Sequence, residues 1–313
     1  MNNDNQHLKK LEIHFEIISQ CGLNCIHCSS ESDIKQSTQQ LSPEKIANFI
    51  KSISKDVKLY ICLTGGEPLL SNQFFPILNT LNKFNNINQI GIFTSGCIVT
   101  EKGEIQEINE KLSMTLKETG ITFCYISLYS HLSNVHDIVT RVPGSHKYSI
   151  RSIRNLLDNG IEAKVHFVPM RYNQNEIEKA IHFLNDMGVK EIRFLRLVKH
   201  GRAKKHWGLI GLSKDEQKIV LQKAIDSVTK DILKIKITVA GFPEIWDCRP
   251  FGTGKMCQAG IGLYYIDWKG SVFPCACKKR EEAFSLFNVD DADVSKRLLS
   301  SKKLYNVKCL QDM

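Results

Sequence analysis

From residue 11 onward, short runs of β-branched and aromatic residues alternate with longer stretches in which apolar positions recur every three or four residues. Runs of the first kind are too short for helices and read as strands at 11–19, 57–63, 89–94, 121–128, 161–168 and 191–195. Between them the helix ends are legible. Ser42 before Pro43 predicts an N-cap and a first-turn proline, opening a helix to about residue 53. Asn173 with Glu176, and Ser213 with Glu216, have capping-box spacing, while Gly160 and Gly188 predict the ends of helices at 148–159 and before 188. Strand and helix in strict alternation predict a parallel sheet with crossover helices. Six such units predict an α/β fold, a partial (β/α)6 barrel of the TIM type, with chemistry at the carboxyl ends of the strands.

After about residue 240 the pattern changes. A hairpin is expected, 263–266 against 271–274, turned by Asp267-Trp268-Lys269-Gly270 in a cysteine-bearing segment. The expected division is therefore a barrel over 1–235 and a smaller module over 236–313.

Composition narrows the class. Of 313 residues, 42% are hydrophobic and 24% charged, which excludes a disordered or fibrous chain. The longest charge-free stretches, 68–82 and 84–100, are broken by Asn, Gln, Ser and Gly and cannot span a bilayer. Asp4, Lys9, Lys10, Glu12 and Glu16 stand where a signal peptide needs an apolar run, so a cytoplasmic protein without membrane partners is expected. The net charge of +9 comes without a helix-turn-helix or RNP-like motif, so nucleic acid is not indicated. Eleven cysteines, against about four or five at average usage, point to metal ligation rather than a disulfide framework.

Three of these cysteines form a loop directly after the first strand: Cys21-Gly-Leu-Asn-Cys25-Ile-His27-Cys28. Three thiolates turned to one centre leave one coordination position open, which suits an iron-sulfur cube or zinc. The second strand ends in Gly65-Gly66-Glu67-Pro68. Paired glycines mark a tight turn, and they also let a backbone approach a ligand that a neighbouring carboxylate can bind.

Together, Cys21, Cys25, Cys28 and Gly65-Gly66-Glu67-Pro68 resemble the motifs of the radical S-adenosylmethionine (SAM) enzymes. The resemblance implies a 4Fe-4S cluster on the three cysteines whose open iron is chelated by the amino and carboxylate groups of SAM. Gly65, Gly66 and Glu67 would hold the methionyl ammonium. An electron from the cluster would cleave the sulfur–C5′ bond, and the 5′-deoxyadenosyl radical would abstract a hydrogen atom. His27 occupies the position of the family's usual adenine-facing aromatic residue. Thr94-Ser95-Gly96 resembles the family's Thr-Asn-Gly turn, with Ser95 replacing Asn, though an ordinary turn has the same composition. Ser127, His136-Asp137, Arg141 and Gly144-Ser145 resemble the run that contacts the SAM carboxylate and ribose. Ser127 and Arg141 are the expected ligands there, and His136-Asp137 is expected to be loop structure.

Five further cysteines follow the barrel: Cys248, Cys257, Cys275, Cys277 and Cys309. Cys257, twelve residues, Gly270, four residues and Cys275 resemble the auxiliary-cluster extensions called SPASM and twitch domains. The implied ligands of one auxiliary 4Fe-4S cluster are Cys248, Cys257, Cys275 and Cys309, with four residues left after Cys309 and hence room for one cluster only. Cys277 is then spare. It could replace Cys248 or Cys309, or serve as a catalytic hydrogen-atom donor as in radical epimerases, and structural zinc is the alternative for the whole set. Cys62, Cys97 and Cys124, in or beside apolar strands, are expected as buried small hydrophobes.

Enzymes with such extensions mostly modify ribosomally made peptides, forming crosslinks or thioethers or epimerising residues. A precursor peptide is therefore the expected substrate, and a flavodoxin or ferredoxin the expected electron donor. The alternative is a radical dehydrogenase or cyclase acting on a nucleoside, sugar or other small molecule, although the chain ends in Gln-Asp-Met rather than the Gly-Gly tail of the molybdopterin-precursor cyclase. A plain iron-sulfur electron carrier would need no SAM motif. Only about ten residues precede the first strand, so no leader-recognition domain is expected within this chain. The basic run from Arg193 to His206 reads either as a recruiter of acidic groups or as a solvated loop.

Overall fold

The computed structural model describes residues 10–242, 259–279 and 281–300. Its strands, in chain order, are β1 (Lys10–Glu16), β2 (Lys58–Thr64), β3 (Ile87–Thr94), β4 (Cys97–Val99), β5 (Ile105–Glu107) and β6 (Ile121–Ser127). They continue with β7 (Glu162–Phe167), β8 (Glu191–Leu195), β9 (Lys236–Ala240), β10 (Leu263–Ile266), β11 (Ser271–Phe273) and β12 (Phe287–Asn288). All six predicted strands are present, and β1-β2-β3-β6-β7-β8-β9 pair in parallel in that order. This is the α/β, partial-barrel architecture that the alternation predicts.

Alternation along each strand separates two environments. Leu11, Ile13 and Phe15 of β1 are buried against the helical layer, as are Ile61, Ile92 and Val165 of β2, β3 and β7. The opposite, inner face carries Glu12, His14, Phe93, Tyr125, His166 and Arg193, which touch one another. The helix Pro43–Lys51 shows how the outer layer attaches. Ser42 Oγ accepts from Lys45 N, Pro43 opens the first turn, and Ile46, Phe49 and Ile50 are buried on one face. Burying Phe49 alone contributes about 2 kcal/mol.

One capping prediction holds and the other fails. Ser213 and Glu216 form both bonds of a capping box at the head of the helix Lys214–Lys230. Asn173, by contrast, is wholly buried and caps nothing. Its Oδ1 accepts from Met170 N at 2.7 Å and its Nδ2 donates to Tyr129 and Val168 carbonyls at 2.9 and 3.0 Å. The helix after it starts at Ile177 without a side-chain cap. A buried amide must be fully bonded, and three loop groups satisfy it better than one helix end.

Two features of the sheet lie beyond the predicted set. β9 adds a seventh parallel strand, and β10 pairs in parallel with β1, so the C-terminal hairpin extends the same sheet in the order β12-β11-β10-β1. Residues on both sides of the expected boundary at 235 thus share one sheet. The hairpin turn is the predicted one: Gly270 has φ +91°, and the Asp267 carboxylate accepts from the N–H groups of Lys269 and Ser271. Among the described residues, no helix is long and apolar enough to cross a membrane.

Candidate active site

β1 stops at Glu16 because the next residues are engaged differently. The Ile18 and Gln20 carbonyls accept from the N–H groups of Gly66 and Glu67, both at 2.8 Å, which locks the start of the cysteine loop onto the end of β2. The glycines make this approach possible. A Cβ on Gly66 would stand 2.1 Å from the Gln20 oxygen, and one on Gly65 2.6 Å from the Ile18 oxygen.

The loop then returns through Cys21, Cys25 and Cys28, all partly exposed, at the carboxyl end of the sheet. Burial pushes the Cys21 thiol well above its ordinary range, and the nearby Cys25, Glu67 and Cys28 push it further. Cys25 is raised to about 12 by burial and then by Cys28. Two thiols whose ionisation is disfavoured by burial and by their neighbours are poorly placed for a chain alone and well placed around a cation-bearing centre. The donor set therefore fits a thiolate-bound iron-sulfur cluster. Cys62, Cys97 and Cys124 are the buried, inert cysteines expected from their strands.

Glu67 is buried and its carboxylate is saturated. Oε1 accepts from Thr94 Oγ1 at 2.6 Å and Leu69 N at 3.3 Å; Oε2 accepts from Ser95 N at 2.9 Å and Ser95 Oγ at 2.7 Å. Burial raises its carboxyl above the ordinary range while these donors pull it back. Its immediate partners are thus protein groups: it ties the end of β2 to the Thr94-Ser95-Gly96 turn after β3. Ser149 and Ser152 of the helix Ser145–Asp158 hold that turn from the other side, through the Ser95 and Gly96 carbonyls.

The β6 side of the loop is aromatic. Tyr129 is buried beside the three cysteines, its hydroxyl bonded to Ser127. His27 meets the Tyr129 ring edge-on at 4.6 Å, and His136 stacks on it at 5.5 Å. His136 Nδ1 accepts from Tyr129 N, and Asp137 accepts from Gly144 N, Ser145 Oγ and His146 N; the pair lies in the helix Ser133–Thr140 rather than in the expected loop, and its bonds support the turn that follows. Arg141 is exposed, with φ +58° at the end of the helix Ser133–Thr140, and its Nη2 lies 2.9 Å from His206 Nε2. Tyr129 had no distinguishing signal in the sequence beyond lying two residues past Ser127.

The basic run is divided: several of its charges are engaged by the protein itself, while Lys204 and Lys205 are exposed. Arg193 sits on the inner face over the Tyr125 ring, bonded to Glu191; His200 pairs with Glu281 at 3.1 Å; Lys205 pairs with Glu31. Arg202 donates from Nε to the Cys25 carbonyl at 2.8 Å and from Nη2 to the Ser32 carbonyl at 2.9 Å. Deeper on the inner face, potential ligand atoms of Glu12, His14 and Cys62 lie within 4.8 Å of one another. His14 bonds Glu12 at 2.8 Å, and the Arg193 guanidinium is near enough to act electrostatically on both Glu12 and Cys62.

In the C-terminal module, Cys275 and Cys277 are hydrogen-bonded to each other, which together with burial raises Cys275 well above its usual range. Cys248, Cys257 and Cys309 lie outside the described residues.

Comparison with known proteins agrees with this geometry. The model of the radical SAM superfamily matches residues 15–184, more than half of the chain. The chain belongs to the radical SAM superfamily, whose members use a 4Fe-4S cluster and SAM. It is 24% identical over 280 residues to an AdoMet-dependent heme synthase of Oleidesulfovibrio alaskensis, covering 84% of this chain and 69% of that protein. It is 25% identical over 268 residues to a probable GTP 3',8-cyclase of Methanocaldococcus jannaschii, covering 84% of each. In fold it is similar to Streptococcus suis SuiB bound to precursor peptide SuiA, with TM-score 0.70 and 14% identity over 92% of this chain. The chain spans 64% of that SuiB structure.

Proposed function

We propose that Cys21, Cys25 and Cys28 hold the 4Fe-4S cluster and that the chain is a maturase of a ribosomally synthesised precursor peptide. The observation that carries the site is the nearness of Cys21, Cys25 and Cys28 to one another at the carboxyl end of the parallel sheet, against the Gly65-Gly66 turn. When bound, the cluster supplies the electron for reductive cleavage of SAM and so the hydrogen-abstracting chemistry.

The chain's own residues bind and orient. Gly65 and Gly66 bring backbone to the ligand, and Glu67 fixes Ser95 at its side. His27 and Tyr129 form an aromatic wall for the adenine. Ser127 and Arg141 serve the SAM carboxylate and ribose, Arg141 by exchanging its contact with His206. We assign residues 1–235 to the barrel and 236–313 to a twitch-like or SPASM-like module. That module carries one auxiliary cluster on Cys248, Cys257, Cys275 and Cys309, with Cys277 spare or acting as hydrogen-atom donor. Replacing Cys257 is expected to lower iron from about eight to about four atoms per chain while sparing some SAM cleavage; an unchanged count removes it from the site.

Likeness to a peptide-bound enzyme over 92% of this chain supports the peptide substrate, with a flavodoxin or ferredoxin as electron donor. A second reading, a small-molecule substrate, is supported by the heme synthase and GTP cyclase relatives. The deciding experiment is anaerobic reconstitution with SAM, reductant and the short peptides encoded beside the gene, read by mass spectrometry. Loss of two hydrogens indicates a crosslink, and deuterium uptake from heavy water indicates epimerisation. Unmodified peptides alongside consumption of GTP or a porphyrin would reverse the order of the two readings.

A further inference from the structure

The cysteine loop is held on its open side by a segment that follows β8. Arg202 reaches it three times: its backbone N–H donates to the Cys28 carbonyl at 3.0 Å, Nε to Cys25 at 2.8 Å and Nη2 to Ser32 at 2.9 Å. Lys205 adds an ion pair to Glu31. Gly201 lets the two backbones meet, with φ +54°, and a Cβ there would stand 2.7 Å from the Cys28 oxygen and 2.6 Å from that of Ser29. The guanidinium is near enough to act electrostatically on both Cys25 and His27.

We infer that Arg202 positions the loop that carries the cluster and supplies the fixed positive charge that favours the reduced cluster. This rests on Cys21, Cys25 and Cys28 being the cluster ligands. Two carbonyls seven residues apart are joined by the planar fork of one guanidinium, a task an ammonium group cannot reproduce. A cube held by three thiolates is already anionic, and the electron accepted from a ferredoxin-type donor, or from dithionite in the test, adds one more negative charge. A permanent cation held beside Cys25 lowers the cost of that electron.

The test uses the reconstituted full chain and potentiometric titration of the cluster followed by electron paramagnetic resonance. Arg202→Gln should shift the midpoint negative by about 59 mV or more, the one-electron equivalent of tenfold, and Arg202→Lys should recover most of that shift. Arg202→Gln with the wild-type midpoint overturns the inference. Should Arg202→Gln hold only about half of the wild-type iron, as when the auxiliary cluster alone remains, Arg202→Ala reconstituted with guanidinium or with its neutral isostere urea decides. Rescue by guanidinium alone upholds the role of the charge, and equal results in the two overturn it. The ligand assignment is read separately. Cys25→Ala that keeps the full wild-type iron count, about eight atoms rather than the about four of the auxiliary cluster alone, refutes the ligands, whereas a full wild-type count with an unmoved midpoint in Arg202→Gln refutes only Arg202.

Discussion

The two sides of the cysteine loop differ in how completely their polar groups are used. On the β2–β3 side, the Glu67 carboxylate accepts four hydrogen bonds from Thr94, Ser95 and Leu69. On the β6 side, His27 Nδ1 and His136 Nε2 are buried and have no hydrogen-bond partner among the described residues. Leaving such a group unmet costs about 1–3 kcal/mol. The Glu67 carboxylate is therefore taken up by its own chain, while the β6 side keeps buried nitrogens whose bonding capacity is unmet.

The largest effect should come from the loop between them. Cys25→Ala is expected to reduce 5′-deoxyadenosine formation to background, at least a thousandfold, whereas Cys124→Ala, in the outer core, should keep it at constant iron. Glu67→Gln should next cost about 2–3 kcal/mol of fold stability, seen as a lower Tm, because an amide cannot accept all four bonds. If it instead weakens SAM binding at unchanged Tm, the contrast between the sides is wrong.

A pH experiment examines the β6 side. Burial, with His146 adding to it, holds His136 at about 3, against an ordinary value near 6.5. Its contribution is therefore present above pH 6.5 and lost as pH falls, since the unfolded chain takes up a proton that the folded chain refuses. Between pH 7 and pH 5 that costs about 2 kcal/mol, and His136→Gln should flatten this part of the stability curve measured by denaturant titration. The smallest effect expected is about tenfold weaker SAM binding in His27→Phe, which keeps the ring and removes the nitrogens; equilibrium dialysis measures it.

Much of this was legible locally. Short β-branched and aromatic runs give the six strands, Ser42-Pro43 and Ser213-Glu216 give helix starts, and the cysteine spacing with Gly65-Gly66 gives the candidate site. β9 was not legible because it is an edge strand whose residues are mostly exposed, with Ile237 buried and no clear alternation. Asn173 misled because a buried amide and a capping amide look alike in sequence. Arg202 was hidden in a basic run, since only the folded chain shows that it faces carbonyls from residues 25 to 32. The pairing of β10 with β1 joins segments from opposite ends of the sheet's sequence, and no local pattern encodes it.

That last pairing also imposes an order on biosynthesis. Glu12 gains its partner Leu263 only when translation has run through the whole barrel. While the ribosome is still making the middle of the protein, the strand that launches the cysteines has an exposed edge. The finished surroundings of that loop are accordingly assembled late, after synthesis of the hairpin rather than on emergence of the cysteines themselves.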